Sequence, residues 1–141
     1  MREKLKEIQE LDHEIDELVE KKKYYFLLVT KITPSYKTIS VQETANSGKL
    51  DDYMCKVSDI LDALEKKLDQ LDTVRNEIDQ AIEKIPDVQY RRLLRLRYFH
   101  GNSWEEIQKK VYPNYSEQHV RGYLHGRALR ELEKVKRVNT Y

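Results

Sequence analysis

The strongest constraint on the fold is an apolar repeat of seven residues in the middle of the chain. Leucine, isoleucine or valine recurs at every seventh position, at Leu50, Val57, Leu64, Leu71, Ile78 and Ile85. A second apolar position of the repeat is filled by Ile60, Val74 and Ala81. Such a repeat is typical of a helix that packs on another helix along its whole length. The sequence therefore predicts a long helix over 49–85. The six residues at every seventh position, from Leu50 to Ile85, are predicted to form a coiled-coil seam.

A second long helix is predicted near the start of the chain, over 2–32, from apolar residues spaced three and four apart. The stretch 34–48 between the two helices is rich in Ser and Thr, has no helical period and predicts a polar linker. The partner of the 49–85 seam stays open at this point. Either the first helix folds back on it as a hairpin, or a second copy of the chain forms a homodimer, and the two arrangements are compatible.

Composition agrees with an all-α fold, because four glycines and three prolines in 141 residues are too few for a turn-rich β protein. The single cysteine, Cys55, excludes an intramolecular disulfide and favours a reducing compartment. The longest apolar run, 24–29, is far shorter than the roughly 20 residues of a membrane-spanning helix. The N-terminus lacks the apolar core of a signal peptide. We expect a cytoplasmic protein that does not contact a membrane.

Charge divides the chain into two unlike regions. Residues 1–86 hold 14 Lys and Arg against 19 Asp and Glu, a net charge of −5. Residues 87–141 hold 12 Lys and Arg against 6 Asp and Glu, a net charge of +6. We therefore expect a coiled-coil region over 1–86 and a separate basic domain over 87–141.

The basic region predicts three short helices, over 88–99, 104–111 and 117–137. Asp87, Ser103 and Ser116 precede them as N-caps, and Ser103 with Glu106 has the form of a capping box. Two short helices joined by a tight turn, the second with a basic polar face, are typical of a helix-turn-helix DNA-binding domain. In that geometry the start of the last helix enters the major groove of duplex DNA.

Candidate DNA contacts follow from this geometry. The residues expected to read base edges lie off the apolar stripe of the last helix, at Glu117, Gln118, His119, Arg121 and His125. Those expected to contact phosphates are Arg92, Arg95, Ser103, Lys109, Lys110, Ser116 and Arg127. Gly122 and Gly126 are unusual inside a helix and indicate either a close approach of the backbone to DNA or another helix, or a local weakness.

The segment Arg92–Ile107 (RLLRLRYFHGNSWEEI) resembles the opening of DNA-binding region 4 of bacterial sigma factors. It is more similar still to the sigma-like regulators encoded by phages and prophages of Gram-positive bacteria. Two further segments are similar to the recognition helix of these regulators: Ser116–Arg121 (SEQHVR) and His125–Leu132 (HGRALREL). The resemblance implies a late-gene transcriptional regulator in the bacterial host cell that binds promoter DNA, with RNA polymerase as a further candidate partner.

One departure from the family pattern lies in the last helix. Seven residues separate Val120 from Ala128, where the resemblance implies six. The extra residue predicts either a rotation of the second half of the helix or a local bulge. The extra residue puts the match of His125 and Arg127 to the DNA contacts of the family in more doubt than the match of Gln118 and Arg121.

An enzyme is not expected, since the sequence has no Gly-rich phosphate loop, no HExxH and no CxxC. Ser116 is interpreted as a helix N-cap and not as a nucleophile. His119 and His125 are too far apart for a helical metal pair, so no metal or cofactor is expected. The main alternative is a protein-interaction module that binds RNA polymerase or another protein without sequence-specific DNA binding of its own.

Overall fold

A computed structural model describes residues 1–32 and 41–139, with side chains described outside 41–47 and 136–139. Every secondary-structure element in these ranges is helical, which confirms the all-α prediction for the described chain. The elements are α1 (Arg2–Ile32), α2 (Val41–Glu83), α3 (Val88–Tyr98), α4 (Trp104–Val111), α5 (Glu117–His119), a π-helical turn (Val120–Leu124) and α6 (His125–Asn139). None of the described helices is long and apolar enough to cross a membrane.

The polar linker is shorter than predicted. Helix α2 begins at Val41, so the prediction of a loop over 41–48 is wrong, whereas the rest of the predicted linker lies outside the described residues. Adding a residue to an existing helix costs far less than starting a new one, and Gln42, Glu43 and Ala45 are compatible with a helix. Gly48 costs only about 1 kcal/mol relative to Ala in such a position. At its other end α2 stops at Glu83, ahead of Pro86.

The described chain divides into two compact units. The N-terminal unit is Leu11–Gln70. In it α1 and α2 run antiparallel, as shown by an ion pair of Glu14 with Lys67 and by the rings of Tyr25 and Tyr53, whose centroids are 6.0 Å apart. The apolar side chains buried in this unit are Leu11, Val57, Ile60 and Leu64. Seam residues Val57 and Leu64 are thus buried within a single chain.

The C-terminal unit joins Met1–Glu10 to the chain from Leu71 onward. Its core takes apolar side chains from every element except α5: Leu5 and Ile8 of α1, Leu71, Ile78, Ala81 and Ile82 of α2, Leu93 and Leu94 of α3, Ile107 and Val111 of α4, Val120 and Leu124 of the π-helical turn, and Ala128 and Leu132 of α6. Ile85, just after α2, is also buried, and Leu50 is the one seam residue that is only half-buried. Seam positions in both units are therefore filled without a second copy.

The last predicted helix, 117–137, is not a uniform α-helix. A π-helical turn over Val120–Leu124 interrupts it, and the α-helix resumes at His125. A π-helical turn widens the helix locally and takes up one extra residue. The sequence predicted a local bulge between Val120 and Ala128 as one of two outcomes, and the π-helical turn lies within that stretch. Val120, Leu124 and Ala128 are all buried in the core of the unit.

Candidate nucleic-acid interface

Side-chain caps fix the start of each short helix in the C-terminal unit. The Asp87 carboxylate accepts a hydrogen bond from the backbone N–H of Gln89 at 2.8 Å. The Ser103 hydroxyl accepts one from Glu106 N–H at 3.2 Å, and the Ser116 hydroxyl accepts one from His119 N–H at 3.1 Å. These predicted caps are confirmed. Ser103 and Ser116 are thus engaged at helix starts, where unpaired backbone N–H groups and the helix dipole favour anions.

The helix that begins after Ser116 presents a polar face to solvent. Glu117, Gln118 and Arg121 are exposed, while Val120 between them is fully buried against the core. Their side chains make no hydrogen bond or ion pair with any other side chain in the described part of the protein. Three of the five predicted base-reading residues, Glu117, Gln118 and Arg121, are therefore exposed together on one helical stretch.

His119 lies in an aromatic stack that the sequence reading missed. Its ring lies between those of Tyr115 and Tyr123, with centroids 4.9 and 5.0 Å away and interplanar angles of 14° and 25°. Both tyrosines are about half exposed. The Arg127 guanidinium donates a hydrogen bond to the Tyr123 hydroxyl at 2.7 Å. The sequence did hold a signal for this stack, because Tyr115, His119, Tyr123 and Arg127 are each four residues apart. Residues four apart are neighbours on the surface of a helix.

His125 does not lie on the exposed face with Gln118 and Arg121. Its ring packs edge-on against Trp104, with centroids 4.6 Å apart, and its Nε2 lies 2.8 Å from the Tyr98 hydroxyl. Burial, together with the positive charge of Arg97, lowers the pKa of His125 to about 4. His125 is therefore neutral near pH 7 and packs between helices. Its side chain is therefore engaged within the unit, unlike the exposed side chains of Gln118 and Arg121.

Some of the side chains predicted to contact phosphate form ion pairs within the chain, and others do not. The Arg95 guanidinium donates to Glu83 at 2.5 Å and to Asp79 at 2.9 Å, both on α2, and these bonds raise its pKa. Lys109 pairs with Glu105 one turn earlier, on the surface of α4. Lys110 is exposed and its ammonium pairs with no other described residue. Arg95 therefore serves to join α3 to α2.

Arg92 and Arg127 stay at the surface. Arg92 is exposed and donates to the backbone carbonyl of Lys110 at 3.3 Å, which places its charge beside α4. Arg127 is exposed while it contacts Tyr123. Arg92, Lys109, Lys110 and Arg127 are thus all exposed positive charges of the C-terminal unit.

Gly122 and Gly126 are not required by packing within the chain. A methyl group built at either position meets nothing within 4 Å outside the helix's own backbone. Neither residue has a positive φ angle. Of the reasons for these glycines left open by the sequence, close approach to a neighbouring helix of the described chain is therefore excluded.

No three His, Cys, Asp or Glu side chains among the residues described are grouped so that they could hold a metal ion. The chain matches no family model, no curated protein and no solved structure.

Proposed function

We propose that this protein is a transcriptional regulator that binds duplex DNA sequence-specifically. In this proposal α4 and the helix that starts at Glu117 act as a helix-turn-helix pair, and the latter enters the major groove. The observation that carries the proposal is the free polar face of Glu117, Gln118 and Arg121 at a capped helix start, with the core directly behind it. Because Val120 is buried behind it and the backbone is already helical, only the side chains of this face have to be ordered on binding.

The chemistry of these side chains suits base edges. Arginine donates two parallel hydrogen bonds to guanine, glutamine pairs with adenine, and a carboxylate accepts from cytosine. Arg121 and Gln118 are the candidates for the first two contacts, and Glu117 for the third. Each good bidentate contact is worth about 1–3 kcal/mol of discrimination against a wrong base.

Phosphate contacts then orient the helix on the duplex. Lys110, Lys109, Arg92 and Arg127 are exposed in the same unit as this face, and Ser103 and Ser116 lie at helix starts that suit a phosphate. These contacts carry no sequence information, so they set affinity and its dependence on salt. A region with a net charge of +6 over 87–141 supports this part of the proposal.

Selection of bound sequences from a random duplex pool tests the proposal. We expect one preferred site, and a titration of that site with salt should show a steep fall in affinity. Arg121→Ala and Gln118→Ala should each lose about 1–3 kcal/mol at particular base pairs. Lys134→Ala, an exposed charge at the far end of α6 paired with Glu131, is the matched control and should change little. Equal binding to every duplex, unaffected by Arg121→Ala, would contradict the proposal.

A further inference from the structure

An apolar stripe remains exposed on α2 within the N-terminal unit. Met54, Leu61 and Leu68 lie seven residues apart, so they form a single line along the helix. Their exposed fractions are 47, 47 and 48%. The seam residues Val57 and Leu64, by contrast, are only 3 and 8% exposed. The helix therefore has a second apolar line that α1 does not cover.

Unpaired carboxylates border this stripe. Asp51 lies one turn before Met54, Asp62 follows Leu61, and Glu65 lies between Leu61 and Leu68. All three are exposed and form no ion pair with the described residues. No Lys or Arg occurs at the helical spacings of three and four from Met54, Leu61 or Leu68 within this unit. The stripe is thus apolar in the middle and acidic at its border.

We propose that this surface, which we call the acidic leucine stripe, docks an amphipathic helix of another protein that carries Lys or Arg beside its apolar face. The apolar line supplies the contact area, as in helix-in-groove recognition. The acidic border selects the charge of the partner and repels an acidic helix. A second copy of the chain is not the occupant, because it would bring the same carboxylates against each other. This surface is independent of the proposed DNA-binding face.

Two designed helical peptides of equal length test the proposal. Both carry leucines at the spacing of the stripe, and they differ only in bordering residues, Lys in one and Glu in the other. The full chain is labelled with a fluorophore on Cys55, which is exposed, adjacent to Met54 and the single cysteine of the sequence. We expect the Lys peptide to bind and change the fluorescence, to weaken as salt is added, and the Glu peptide not to bind.

Variants of the unlabelled chain, measured by calorimetry with the Lys peptide, locate the surface. Replacing both leucines, Leu61→Ala with Leu68→Ala, should weaken binding about tenfold or more, because each leucine still has half of its surface to bury. Glu65→Lys should also weaken binding and should admit the Glu peptide. Leu27→Ala is the matched control, an exposed leucine of the same unit on α1, and should bind as the parent does.

Four results would overturn the proposal. Three of them are failure of the Lys peptide to bind the parent chain, unchanged binding of that peptide by the double leucine variant, and equal binding of both peptides. A dimeric mass by light scattering that becomes monomeric in the double leucine variant would also overturn it, since a second copy would then cover the stripe. Circular dichroism of each variant separates loss of binding from loss of folding.

Discussion

The Tyr98 hydroxyl lies 2.8 Å from Nε2 of His125, so a residue of α3 bonds the first residue of α6. The Trp104 ring packs edge-on against the same imidazole from the start of α4. When the neutral imidazole carries its proton on Nδ1, the phenol donates and Nε2 accepts. One half-buried histidine therefore connects the three helices that position the proposed reading face.

This relationship predicts a pH dependence of stability. Because burial lowers the pKa of His125 from 6.5 to about 4, the unfolded chain binds this proton more readily than the folded chain does. The stabilising contribution is present above the unfolded pKa of 6.5 and is lost as the pH falls from 6.5 toward about 4. Protonation would also convert the acceptor of the Tyr98 bond into a donor.

His125→Gln isolates this contribution, since an amide accepts a hydrogen bond and does not titrate. We expect the variant to lose less stability than the parent over the same fall in pH. Urea denaturation midpoints at several pH values between 7 and about 4 measure the difference. Parallel curves for parent and variant would show that His125 does not cause the loss.

Alanine at Gly122 or Gly126 should have opposite effects on stability and on DNA binding. Neither substitution meets a neighbour within 4 Å, so each should stabilise the helix by about 0.5–1 kcal/mol. If the glycines allow the backbone to approach DNA, the added methyl groups should weaken binding to the selected duplex. Thermal unfolding and a binding titration on the same samples separate the two effects. Unchanged affinity would show that the glycines have no role in DNA contact.

Alanine substitutions at Arg95 and Lys110 should have different effects on stability and on DNA binding, although both residues were predicted to contact phosphate. Arg95→Ala removes the bonds to Asp79 and Glu83, so it should lower stability, by about 1 kcal/mol or less, and leave the slope of affinity against salt unchanged. Lys110→Ala should leave stability unchanged and reduce that slope by about 1. Salt titrations with the selected duplex measure the slopes. A reduced slope in Arg95→Ala would mean that its ion pairs open on DNA.

Tyr112→Phe should be neutral or stabilising. The Tyr112 side chain is only 3% exposed, its hydroxyl has no hydrogen-bond partner among the described residues, and burial raises its pKa. Removing an unsatisfied buried hydroxyl recovers up to about 1 kcal/mol. Tyr98→Phe is the matched control and should destabilise, because it breaks the bond to His125. Melting temperatures of the two variants give the comparison, and a marked fall for Tyr112→Phe would contradict the expectation.

Much of the helical architecture could be predicted from local sequence signals. Breakers and caps act on neighbouring residues, so Asp87, Ser103 and Ser116 located the starts of α3, α4 and α5 correctly. Apolar periodicity likewise predicted which faces are buried. The start of α2 at Val41 could not be read in the same way, because a long helix can extend into a polar segment that has no periodicity of its own.

The candidate site was predictable only in part, since the sequence does not show which polar side chains find partners. Gln118 and Arg121 lie as expected on the exposed face. Arg95 and His125 were assigned to DNA by residue type, but their partners Asp79 and Trp104 come from elsewhere in the fold. Such pairings depend on tertiary packing, which a single sequence does not reveal.

The π-helical turn at Val120–Leu124 is a position where the sequence should tolerate deletion of one residue. Because the wider turn already holds one surplus residue, deleting Gly122 should convert it to an ordinary α-helical turn without refolding the flanks. The same deletion would leave Gln118 in place. The residues after the turn would move one helical position closer to Gln118 along the chain. Loss of a single codon here would thus change the spacing of surface side chains while the core stayed intact.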